Sequence, residues 1–234
     1  MKNGEARKMN KLNKISTLDK FIVLLDKKIK GRFSRDSAHD IDHLYRVYSM
    51  ALNIQKKEHG DRLVIGVAAF LHDIHRMIQA KNGKYCHPKD SLPIIKKFLL
   101  DVKFPKDKID DVLHVIEYHE EYSFSYKGRT VHDIETLIVQ DADNLDSMGA
   151  IGIARTFGFS AQLNHLMWVP DDEKKTRHFD EHKTDETAID HFYNKLLRLK
   201  DTMNTRTAKS LAKERHVYMQ GFLVRFKKEW VAEL

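Results

Sequence analysis

The chain has 234 residues, 41% hydrophobic and 32% charged, with a formal net charge of +7 and an isoelectric point near 9.2. That length can bury a sizeable core as one large or two small domains, and ten glycines with four prolines argue against a β-rich or loop-rich fold. The positive charge favours anionic ligands such as phosphates or nucleic acid; the lone Cys86 excludes an internal disulfide and fits a reducing cytoplasm.

Residues 1–15 are basic and lack apolar periodicity, so they read as a flexible tail ahead of one helical domain over 16–234. The polar start is no signal peptide, and no apolar run approaches transmembrane length, which points to a soluble cytoplasmic protein with no membrane partner. Phe21, Ile22, Leu24, Leu25 and Ile29 recur at helical spacing over 18–29, and Gly31 closes that helix. Ser37 is the expected N-cap of the next helix, which runs to about Lys57 with Leu44, Val47, Ala51 and Ile54 on its apolar face. His39 and His43 are four apart and share a face, and Asp40 is placed to orient the His43 imidazole or Arg46. Asp61 caps a helix expected to bear His72 and Asp73, and Asn82-Gly83 marks a turn.

Further helices are expected through Leu92 to Leu99, through Ile109 to Tyr118 after a break at Phe104-Pro105, and through Ile134 to Val139 into the string DADNLD. Within that string, Asp143 and Asp146 read as caps for the next helix or as hydrogen-bonding support, and Gly149, Gly152 and Gly158 suggest close helix packing. Residues 164–185 turn polar and read as a long surface loop, a candidate lid in which His178 and His182 are exposed. Two closing helices are expected over 188–203 and 207–230. The fold class is all-α.

The chemistry concentrates where apolar runs carry charge. Val67-Ala68-Ala69-Phe70-Leu71 should bury itself, yet His72-Asp73 follows directly. A buried imidazole and carboxylate are usually paired with each other or bound to metal. His43 in HDIDHLYRV and Asp141 in IVQDADNLDSMG supply further ligand types from other predicted helices.

This ordered set, a His, a His-Asp pair and a later Asp, resembles the signature of the HD-domain metal-dependent phosphohydrolases. HDIDHLYRV, DADNLDSMGAIGIARTF and HFYNKLLRLKDTMNTRTAKSLAKERH are similar to the small bacterial branch that hydrolyses nucleotides, a resemblance spanning roughly residues 20–230. It implies an all-helical domain in which His43, His72, Asp73 and Asp141 bind a divalent metal. Manganese, magnesium, cobalt, nickel, iron and zinc all suit such a set. Asp73, Arg76 and Lys195 are then candidates for catalysis, and Arg46, His87, His119 and Arg206 for binding substrate. Arg76 departs from relatives that carry an acid on this turn. His87 and His119 resemble the histidines that give some relatives a second metal ion. The branch that cleaves cyclic di-GMP is disfavoured, because Tyr118 replaces one of its histidines and Ser125-Tyr126-Lys127 stands where its GYP triplet would.

The implied partner is a small phosphate compound, most naturally a nucleotide, and the chain can be a monomer or homodimer. Three rivals remain: a noncatalytic nucleotide sensor, a di-iron oxygenase using the extra histidines, and a nucleic-acid binder. The basic residues lack interleaved aromatics, which counts against single-strand recognition.

Overall fold

A computed structural model describes residues 16–31, 40–121, 131–170, 185 and 187–233. The tail at 1–15, the residues Ser37, His39, His178 and His182, the Ser125-Tyr126-Lys127 segment and most of the expected lid lie outside the described residues. The described residues contain helices and no strand, as the apolar periodicity predicts; Leu166 and Thr187 form an isolated bridge. No described helix is long and apolar enough to cross a membrane.

Ser16 opens α1 (Thr17–Ile29) with a capping box, accepting from the Asp19 N–H while Asp19 accepts from the Ser16 N–H. Its stripe of Leu18, Ile22, Leu25 and Ile29 is buried. Asp40 caps α2 (Ile41–Glu58), taking the role expected of Ser37: its carboxylate accepts from the His43 N–H at 2.8 Å. α2 buries His43 together with Leu44, Val47, Ala51 and Ile54.

Helix α3 (Arg62–Leu71) is the centre of the molecule. Every residue from Val64 to Leu71 is buried, so beyond its first two residues the helix has no solvent face; it packs against α1, α2, α6 and α7. Its start is fixed by Asp61, which accepts from the Leu63 and Val64 N–H groups, pairs with Lys108, and donates its own N–H to Glu135 at 2.8 Å.

α3 does not run through the His-Asp pair as expected. It ends at Leu71, and α4 (Ile74–Asn82) begins after Asp73, whose φ of −94° and ψ of 17° leave the helical region. A continuous helix would send adjacent side chains about 100° apart. The joint turns both toward one point. Gly83, at φ +65°, then closes α4 in the left-handed conformation.

Next come α5 (Pro88–Asp101), a 3-10 turn at Lys106–Lys108, and α6 (Ile109–Tyr118). α7 (Ile134–Asp146) and α8 (Gly149–Gln162) are joined by a tight turn, whose Ser147 carbonyl oxygen would stand 2.3 Å from a Cβ on Gly152 in the first turn of α8. The expected helix over 188–203 is split into α9 (Ala188–Asn194) and a 3-10 segment, Leu196–Thr202, by non-helical angles at Lys195. α10 (Arg206–Trp230) packs on α2, α7 and α8, and Phe157, Phe192, Phe222 and Phe226 knit α8, α9 and α10 together.

Candidate metal centre

Four buried histidines meet where α2, the α3–α4 joint and the end of α6 converge. In each, Nδ1 faces an oxygen that accepts: a backbone carbonyl in three of them and, for His43, the ionised carboxylate of Asp146. His43 Nδ1 lies 2.8 Å from Asp146, His72 Nδ1 2.8 Å from the Ala69 carbonyl, His75 Nδ1 3.2 Å from the His72 carbonyl, and His119 Nδ1 2.7 Å from the Ile116 carbonyl. Ala69 and Ile116 are in the last turns of α3 and α6, where carbonyls lack helical partners. In the neutral rings the Nδ1 atoms therefore carry the proton, and Nε2 is the atom left to meet a cation or a second proton.

These Nε2 atoms point at one another and at carboxylates. His43 Nε2 lies 3.2 Å from His72 Nε2, 3.4 Å from Asp73 and 3.5 Å from Asp143; His72 Nε2 lies 3.8 Å and 3.7 Å from the same two carboxylates. Acceptors facing acceptors in a buried space are stable only around a positive charge. Burial opposes a charged His72, but Asp73 and Asp143 outweigh it and raise its pKa to about 9. Burial likewise acts to raise Asp143, yet His72 and His43 hold its carboxyl far below the usual range. Nitrogen and oxygen donors at these separations fit a divalent cation.

Asp141, the expected last ligand, is directed elsewhere. Its carboxylate accepts from the Asn204 N–H at 2.7 Å and from the Thr205 N–H and hydroxyl at 2.8 and 2.7 Å, which fastens the start of α10. Burial lifts its pKa to about 6 against those bonds. Two helical residues apart means about 200° of rotation, so Asp141 and Asp143 face opposite ways. Asp146, three beyond Asp143, shares its face.

Asp146 supplies the support expected of Asp40. It accepts from His43 Nδ1, from Arg46 Nε and Nη2 at 2.8 and 3.0 Å, and from Arg155 at 2.8 Å. Burial works against its charge, but these partners pull its pKa down to about 2. Arg46 thus braces His43 through Asp146.

His119 belongs to the cluster and His87 does not. His87 caps α5, its Nδ1 accepting from the Lys89 N–H at 3.1 Å, so the structure does not join it to His119 as a ligand pair. The partner of His119 is His75, with ring centroids 5.8 Å apart. Glu120 lies 3.4 Å from His75 Nε2 and accepts from Arg76 at 2.5 Å; burial opposes its charge, but His75 and Arg76 take its pKa to about 2. Lys195 feels the same acidic groups: burial lowers its pKa, while Asp143 and Glu120 act to raise it. Arg206 is exposed beside Glu58, outside these contacts.

Sequence reasoning missed the cluster roles of His75, Glu120, Asp143 and Arg155. A signal for Asp143 was present in its three-residue spacing from Asp146; none existed for Glu120, which a turn brings in after α6.

Residues 40–148 match the HD domain. The Bacillus subtilis protein YpgQ is 35% identical over 196 residues, which cover 82% of this chain and 85% of YpgQ. Among solved structures, an HD-superfamily hydrolase from Bacillus thuringiensis is 33% identical with a TM-score of 0.69, covering 92% of this chain and 97% of that one. YpgQ in complex with ADP is 29% identical with a TM-score of 0.66, covering 91% and 97%. By its all-helical fold, its convergent His and Asp side chains and these matches, the chain belongs to the HD-domain family.

Proposed function

We propose that the chain is a metal-dependent phosphohydrolase that cleaves a phosphate ester or anhydride of a nucleotide. The observation that carries this reading is the convergence of the His43 and His72 Nε2 lone pairs with Asp73 and Asp143, all four side chains being largely buried. These four residues are the proposed ligands, with Asp143 in the place expected of Asp141. A divalent cation held there supplies Lewis acidity toward a phosphoryl oxygen and makes a water more acidic. Asp146 fixes the tautomer of His43 and thereby keeps its Nε2 a ligand. Lys195 and Arg76 offset negative charge on the phosphoryl oxygens, Lys195 within electrostatic reach of Asp143 and Glu120, Arg76 from its anchor on Glu120. The ADP bound by YpgQ supports a nucleotide as the ligand.

The test is hydrolysis of a nucleotide panel by metal-stripped protein resupplied with manganese, magnesium, cobalt or nickel, with phosphate and pyrophosphate assayed separately. Turnover should require metal, vanish in His72→Ala and Asp143→Asn, and fall about 100-fold in Lys195→Met. Folded, metal-loaded protein that turns over no member of the panel with any of the four metals would overturn the reading.

A further inference from the structure

We propose that Asp185 is a positioning residue for Lys195: by clamping the last turn of α9 it sets where that lysine is held, and it acts on the reaction only through it. This rests on the reading of Lys195 as a cation that offsets charge on the phosphoryl oxygens. Lys195 is the residue at which α9 stops, with φ −127° and ψ −63°. Its N–H still donates to the His191 carbonyl at 3.0 Å, so its backbone goes where the last turn of α9 goes. A lysine carries its charge at the end of a flexible four-carbon stem, so a shift of the backbone is passed on to the ammonium. That charge interacts with two acids, Asp143 and Glu120, and with two guanidiniums, Arg76 and Arg155. A small displacement therefore trades attraction for repulsion.

One carboxylate holds that last turn. Asp185 Oδ2 lies 2.6 Å from His191 Nδ1, and Oδ1 accepts from Asn194 Nδ2 at 2.6 Å. His191 and Asn194 are three apart and share a face of α9, so a single side chain reaches both. Asn194 is buried, and its carbonyl accepts from Arg198 Nη1 at 3.1 Å, which ties the same turn to the 3-10 segment beyond Lys195. Burial acts to raise the pKa of Asp185, but the bonds from His191 and Asn194 and the charges of His191 and Lys195 hold it below the ordinary value. The start of α9 does not depend on this carboxylate. Thr187 caps it, accepting from the Asp190 N–H at 3.1 Å, and the Ala188 and Ile189 N–H groups donate to the Leu166 and Met167 carbonyls at 3.0 and 3.1 Å. A carboxylate that served to start the helix would bond the amides of its first turn. Asp185 instead reaches past the cap to side chains six and nine positions on, at the end that bears Lys195.

The experiment is a double-mutant cycle on the manganese-loaded full-length protein, with kcat and KM measured separately on the nucleotide that the wild type turns over fastest. Asp185→Ala should lower kcat roughly 10-fold, less than Lys195→Met does, with manganese affinity and circular dichroism unchanged. Because Asp185 acts through Lys195, adding Asp185→Ala to Lys195→Met should cost less than about 2-fold more. A further drop of about 10-fold in the double variant would overturn the proposal, since independent effects multiply. So would an Asp185→Ala variant with the kcat of the wild type. Should Asp185→Ala fail to fold, Asp185→Asn, which keeps a side-chain oxygen for Asn194, decides by the same cycle; failure of both to fold would mark Asp185 as structural and sink the idea. Each of these outcomes leaves the phosphohydrolase reading standing, whereas a wild type with no turnover would remove both.

Discussion

Asp141 and Asp143 are separated by one alanine and do different work. Asp143 turns toward His43 and His72, whereas Asp141 turns away to receive the first backbone amides ahead of α10. Asp143→Asn should therefore lose metal binding with little change in the metal-free melting temperature. Asp141→Asn should keep the metal but destabilise the fold by about 1–3 kcal/mol, because its amide cannot accept all three hydrogen bonds. Isothermal titration and thermal melts on both variants check this. At this scale the sequence was legible in residue type and partly in position. His43, His72 and Asp73 converge because each interrupts an apolar face that must be buried. Among the three carboxylates of DADNLD, the choice turns on helical phase, and phase is decided by which side α2 and α10 occupy. Arg155 and Glu120 carried no local signal, since their importance lies in contacts made across the fold with Asp146 and Arg76.

Helix positions follow from the spacing of apolar residues, and their ends from capping chemistry. Asp61 is the clearest case, with its two N–H bonds at the head of α3 and its ion pair to Lys108. Burial acts to raise its pKa, but Lys108 and the two amides lower it below the ordinary value. A depressed carboxylate contributes stability that is complete above its unfolded pKa, about 3.9, and lost as pH falls through its folded value. Asp61→Ala should cost about 1–2 kcal/mol at pH 7. The difference from wild type should shrink below about pH 4, as followed by urea unfolding at each pH. The breaks inside expected helices were not legible. The bend at His72-Asp73 has no proline or glycine to announce it, and the change of pitch after Lys195 follows from tertiary contacts such as the Asp185 bonds to His191 and Asn194.

Across the whole molecule, the centre sits where α2, α3, α6 and α7 converge, so a cation there would tie these helices together. A ligand at 100 times its dissociation constant adds about 2.7 kcal/mol to folding. For a protein of this size that is a rise of roughly 5–10 °C in melting temperature. Chelation should reverse the shift, manganese should restore it, and His72→Ala should melt at the same temperature with or without metal. The all-helical class was legible because few glycines and prolines accompany strong helical periodicity. The arrangement of the closing helices was not, because the aromatic cluster that assembles them draws on Phe157, Phe192, Phe222 and Phe226, far apart in the chain.

The seam between Asp141 and the head of α10 bears on where the protein can be divided. The stretch that matches the HD domain stops at residue 148, a tempting place to cut or to graft. Yet a fragment ending there would strip Asp141 of every donor it has from Asn204 and Thr205, and the Leu145 carbonyl of its bond from Arg215. A bare carboxylate would then lie two residues from Asp143, on the same helix. The border of the match is thus crossed by bonds that fasten the closing helices to α7, and a fragment cut at residue 148 should be less stable than the full chain.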